Sequence, residues 1–201
     1  MDIHEYAKSY WSYYLELENR MEETRRYVEF DEYNFRTYSS YYLMLFQTVC
    51  SEIDVVGKDV ASYFNPDFEK ERGIKSINRW WYEVQNNLPD VDREICFAGS
   101  FLLKPWDRYR VKKNITNQNR NGKQTYVTNY NLIPKTNGIV YSTPNWWNAY
   151  NKVKHQRLKN DIDDCVNYKK ASLRNVSNAV TALFLLEFEF MKKIGTIEER
   201  L

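Results

Sequence analysis

The stretch "WWNAYNKVKHQR", residues 146–157, concentrates the side chains best suited to chemistry. His155 is one of two histidines in the chain, and an imidazole exchanges protons near neutral pH. Arg157 carries a rigid guanidinium fork that matches carboxylate or phosphate, and Lys154 adds a second cation. On a helix advancing about 100° per residue, Trp146, Tyr150, Val153 and Arg157 share one side, while Asn148, Asn151 and His155 share another. Trp147 and Lys154 fall between them. Such a face brings a group that transfers protons, His155, close to one that binds carboxylate or phosphate, Arg157. It equally suits the packed side of a helix, where tryptophans are core and a lone histidine is a surface group.

A second set of charges lies in "SEIDVVGK", residues 51–58, inside the most apolar part of the first half. Glu52 sits within two residues of Cys50 and Ile53, and a charge buried there needs a partner. The expectation is that Glu52 or Asp54 pairs with Arg157 or Lys154. Lys58, Tyr150 and Trp147 would complete a supporting polar cluster, which would serve as a helix-register clamp or as part of a reactive site. Glu187, set in "FLLEFEF", is a further candidate for a clamp.

The third region is basic. Residues 104–135 carry eight Lys or Arg and one acid, Asp107, whereas residues 1–32 carry nine acids and four bases. Lys104, Arg108, Arg110, Lys112, Lys113, Arg120 and Lys123 alternate with Trp106, Tyr109, Tyr126 and Tyr130, a mixture that suits base stacking plus phosphate attraction. It also suits a solvated ribbon whose tyrosines support one another across strands.

These residues need a frame. Tyr10, Tyr14, Leu17, Met21 and Val28 repeat at helical spacing and predict a helix over about residues 5–29. Leu43, Phe46, Cys50, Ile53, Val60 and Phe64, widened by Tyr42, Leu45, Val49 and Val56, predict a central helix over about 39–64, ended by "FNPD". "KSINRWWYEVQNN" predicts a third helix. "RYRVKKNI" and "QTYVTNYNLI", separated by Asn121-Gly122, predict a β-hairpin, because both turn residues tolerate positive φ. "STPNWW" restarts helix to about 159, with Ser142 or Thr143 as cap and Pro144 at the first helical position. Leu173, Val176, Val180, Leu183, Leu186 and Phe190 predict a last helix over about 165–193, stopped by Gly195. The expected architecture is mainly α: one domain over 1–201, about five helices, with a basic and aromatic hairpin inserted at about 104–135.

Composition narrows the class. The chain has 201 residues, net charge +2, 28% charged residues and 16% aromatics, which fits a folded globular domain and excludes a disordered one. Its longest apolar run is broken by Glu187 and Glu189, so no membrane span is expected. Cys50, Cys96 and Cys165 are odd in number and far apart. They form neither a disulfide framework nor a metal-ligand spacing, and reduced thiols of a cytoplasmic protein are expected. With no paired histidines and no Gly-rich phosphate loop, neither a metal nor a cofactor is expected.

"YNKVKH", Tyr150 to His155, within this frame of long helices, resembles the arginine-asparagine-x-x-x-histidine signature of the HEPN superfamily. Asn151 matches its polar position and His155 its histidine, and Tyr150 stands where the family carries arginine. The resemblance implies an all-α bundle, often a homodimer in which two motifs meet. It also implies a metal-independent endoribonuclease of a phage-defence or toxin–antitoxin system, with RNA and an antitoxin or other protein as partners. The loss of the arginine leaves open a non-catalytic interaction or dimerisation module.

Overall fold

The structure, a computed structural model, describes residues 2–71, 76–120, 123–161 and 165–198. The chain opens with α1 (Ile3–Tyr6), passes through a π-helical turn at Ala7–Trp11 and continues as α2 (Ser12–Glu23). The expected helix to residue 29 ends earlier. Thr24 turns its hydroxyl onto the Met21 carbonyl at 2.7 Å, and the chain tightens into a 3₁₀ turn at Thr24–Arg26.

The central helix α3 (Ser40–Phe64) forms as its pattern predicts. Ser39 caps it, accepting the Tyr42 N–H at 3.0 Å, and Asn65 ends it before Pro66. Val49, Cys50, Ile53, Val56 and Val60 are completely buried. α4 (Ile77–Asn87) crosses α3 where Gly57 removes the side chain in the way. A Cβ at Gly57 would lie 2.7 Å from the Trp80 ring, so the glycine is required by close approach.

Two antiparallel hairpins follow. The sequence reading missed the first, β1 (Ile95–Phe97) and β2 (Phe101–Leu103), because strands of three residues leave almost no alternation to detect. The second is the expected one, β3 (Val111–Arg120) and β4 (Lys123–Leu132), paired from Val111↔Leu132 to Arg120↔Lys123. The Asn121-Gly122 turn lies outside the described residues.

α5 (Asn145–Gln156) starts on Pro144 as its N-cap, with no capping hydrogen bond from a side chain, so neither Ser142 nor Thr143 plays the expected part. Its last turn is held from outside. The buried Asn167, in a 3₁₀ turn at Asn167–Lys170, donates to the Gln156 carbonyl at 3.0 Å. That turn delays α6, which spans Leu173–Glu198 rather than starting near residue 165. Gly195 does not stop α6. A Cβ there would lie 2.9 Å from Ile3 Cδ1, so it serves close packing instead.

The molecule is mainly helical. α3 and α6 form the centre, α1–α2 lie along one side, and α4 and α5 on another. Five tryptophans knit the α4–α5 side together. Trp81 stacks on Trp106 with centroids 4.3 Å apart, and Trp106, Trp146, Trp147 and Trp80 meet edge to face at 5.1–6.4 Å. Each such pair adds about 0.5–1.5 kcal/mol beyond area burial. Among the described residues, no helix is long and apolar enough to cross a membrane.

Candidate nucleic-acid interface

The α5 residues are divided by depth. Trp146, Trp147, Tyr150 and Val153 are buried; Asn151 is half-buried; Lys154, His155 and Arg157 are exposed. Trp146 donates its indole N–H to the Pro105 carbonyl at 2.8 Å, and Trp147 packs on Tyr150 at 5.2 Å. The Tyr150 phenol is pushed up to about 12, first by burial and then by the nearby Cys50 and Asp54. Tyr150 and Trp147 are therefore core side chains, and the phenol stays protonated at neutral pH.

The expected pairing across the bundle does not form. Asp54 takes Lys58, one turn along its own helix, and accepts the Trp80 indole N–H at 3.1 Å. Arg157 follows the last residue of α5 and donates to the Gln47 side chain at 3.1 Å. Lys154 lies over the Tyr150 ring at 5.4 Å. Glu52 faces the other way, toward Asp59; burial and then that carboxylate raise its pKa. Helical rotation decides this, because Glu52 and Asp54 are two residues apart and so point to opposite sides of α3. Lys154 and His155 stand in the last turn of α5, where the helix dipole favours cations on its own account.

Glu187 is not a clamp either. It is wholly buried on α6, and neither carboxylate oxygen has a hydrogen-bond partner among the described residues. Its neighbours are Glu52 and the phenols of Tyr6 and Tyr10, and Tyr10 donates to Asp59. Burial first, then Glu52, pushes Glu187 up to about 8.

The basic region sorts in the same way. Trp106 and Tyr109 are completely buried and cannot stack on bases. Arg110 pairs with Asp92, and Arg108 lies 3.6 Å from Asp107 in a turn where its φ is +53°. Among the described residues, the contacts that fix the ribbon β3–β4 lie at its base. Gln85 exchanges two hydrogen bonds with the Val111 backbone, and Asn78 donates to the Tyr130 carbonyl at 3.2 Å. The buried Arg79 is sandwiched between the Phe68 and Tyr130 rings, 4.5 Å from each, and is paired with Glu71 and Glu83. Sequence reasoning did not single out Arg79; its one signal was a cation on the tryptophan side of a short amphipathic helix.

Beyond that anchor the ribbon meets solvent. Lys112 and Lys113 are exposed, Ile115 is 63% exposed and Tyr126 is 73% exposed. The pleat places Lys113, Ile115 and Asn117 on the same face as their partners Tyr130, Thr128 and Tyr126. Residues 111–132 contain no Asp or Glu, four Lys or Arg and six Asn. The side chains of Arg120 and Lys123 lie outside the described residues. A two-stranded ribbon with exposed cations, amides and a ring carries the groups that nucleic-acid contact uses: cations for phosphates, amides for base edges and a ring for stacking.

Among the described residues, no group of three or more His, Cys, Asp or Glu side chains is placed to hold a metal ion. Comparison with family models, curated proteins and solved structures yields no match.

Proposed function

We propose that this chain is a HEPN-like helical protein that contacts RNA, with the β3–β4 ribbon as its contact arm. The observation that carries the reading is the ribbon itself: ten-residue strands anchored at one end, free of carboxylates and exposing Lys112, Lys113 and Tyr126. An arm with this charge costs the fold little and attracts a polyanion. If the protein cuts RNA, His155 is the acid and base, Lys154 and Arg157 the phosphate clamp and Asn151 the orienter, because these are the polar side chains the motif leaves at or near the surface of α5.

The test is fluorescence anisotropy with labelled single-stranded and hairpin RNAs from 50 to 200 mM KCl. Expected is binding that weakens steeply with salt and is lost about tenfold in Lys112→Glu/Lys113→Glu. Salt-independent binding, or none, would remove the ribbon from the reading.

A second reading has its own observation. Tyr41, Met44 and Val55 are 37%, 46% and 44% exposed along one side of α3, with Thr48 and Ser51 between them. This uncharged stripe beside Gln47 and Arg157 suits a non-catalytic interaction or dimerisation module. Sedimentation of the wild type against Met44→Lys checks it: a dimer dissociated by the lysine favours the module.

A further inference from the structure

A cleft of about 380 Å³ opens where α2, α6 and the β1–β2 hairpin meet, away from α5 and away from the ribbon strands. Its lining is mainly apolar: the rings of Tyr14 and Phe184 pack on each other with centroids 5.8 Å apart, and Phe97 lines the hairpin side. Phe97 is held by stacking on Phe101 at 5.5 Å. The lining includes two carboxylates, Glu18 and Glu22, and no Lys, Arg or His among its described residues. Tyr14 donates its phenol to Glu18 Oε1 at 2.5 Å, which orients that carboxylate and leaves Oε2 for another donor.

The hairpin side is braced. Ala98 and Gly99 have successive positive φ angles of 48° and 71°, a conformation that strains the alanine. Arg25, paired with Glu22, reaches over to donate to the Ala98 carbonyl at 2.9 Å and the Ser100 hydroxyl at 3.2 Å. This clamp holds the turn, and with it Phe97 and the exposed Cys96, at the mouth of the cleft.

We propose that the cleft binds a small organic cation, a primary ammonium on an apolar or aromatic body. The ammonium sits against Glu18 and the body lies against the packed Tyr14–Phe184 pair on the side lined by Phe97. Ring faces attract cations and a carboxylate completes the site; Arg25 at the rim is already engaged by Glu22 and the hairpin turn. The volume falls at the lower end of the range of small-molecule sites.

Cys96 supplies the readout. Cys50 is completely buried, so in a Cys165→Ser background the full chain has one exposed thiol, and its reaction with Ellman's reagent is followed. The probes are tryptamine, its neutral counterpart tryptophol and the anion indole-3-acetate. Tryptamine is expected to slow labelling at least about threefold, with half-effect below about 1 mM, and the two other probes much less. Glu18→Gln, an exposed change that leaves the fold intact, should weaken tryptamine about tenfold. Tyr14→Phe keeps the ring and should retain protection. Equal protection by all three probes, protection unchanged in Glu18→Gln, or no protection up to about 10 mM overturns the proposal.

Discussion

The β3–β4 ribbon and the junction of α1, α3 and α6 treat ionisable side chains in opposite ways. On the ribbon, Lys112 and Lys113 stand in water with no carboxylate anywhere between residues 111 and 132. At the junction, Glu187, Glu52 and Asp59 come together with the phenols of Tyr6 and Tyr10, and the nearest charges are of one sign. Solvated like charges cost the fold little and remain available to a partner. Buried like charges cost stability until one of them takes a proton. The ribbon should therefore respond to mutation in binding and the junction in stability.

The largest effect is expected where the two kinds of environment meet, at the ribbon's anchor. Arg79→Ala removes a buried guanidinium from two carboxylates and two rings, and should lower stability by about 3–5 kcal/mol in urea unfolding. If stability holds, the ribbon is fixed by the Gln85 and Asn78 hydrogen bonds without Arg79.

Next is the pH dependence of the junction. Glu187 titrates near 4.5 when unfolded and about 8 when folded. Between these values the folded state holds a proton that the unfolded state has released, so this group's contribution to stability falls as pH rises from 4.5 to 8. Glu187→Gln keeps the shape without the proton equilibrium. It should flatten the fall and raise stability at pH 8 by about 1–3 kcal/mol. Thermal unfolding at pH 5, 6.5 and 8 reads this directly, and parallel curves for the two proteins would mean that Glu187 is ionised in the fold.

Smaller again is the ribbon's effect on stability. Lys112→Glu/Lys113→Glu should leave urea unfolding within about 0.5 kcal/mol while weakening RNA binding about tenfold, which separates this region from the junction. Smallest is His155→Ala, with no stability change beyond about 0.5 kcal/mol, because the side chain is exposed. Its readout is cleavage of RNA in EDTA. Activity present in the wild type and lost in the variant assigns His155 a role in catalysis, and activity kept in the variant removes it.

Residue spacing alone was enough for α3, because twenty-five residues of unbroken apolar rhythm have no other way to bury that stripe. It was also enough for the ribbon, whose two alternating runs flank a turn-forming Asn-Gly. The packed face was one of two open readings for the α5 tryptophans; the structure buries Trp146 and Trp147, and puts Tyr150, expected in a polar cluster, in the core beside them. The aromatics of the basic stretch misled. Trp106 and Tyr109 look identical in sequence to Tyr126, yet the first two are buried against Trp81 and only the third faces solvent.

What the sequence determined by itself was the type of each long element and the sign of its charge, because periodicity and composition are local properties. Only the tertiary structure decided which ionisable groups meet. Asp54 turned to Lys58 and Trp80, Arg157 to Gln47, and Glu187 to other acids, and each choice depends on helix rotation and crossing. Gly57 and Gly195 show the same limit. Their meaning is the distance to Trp80 and to Ile3, which no spacing within a helix encodes, because it is set by a neighbour folded back from far along the chain.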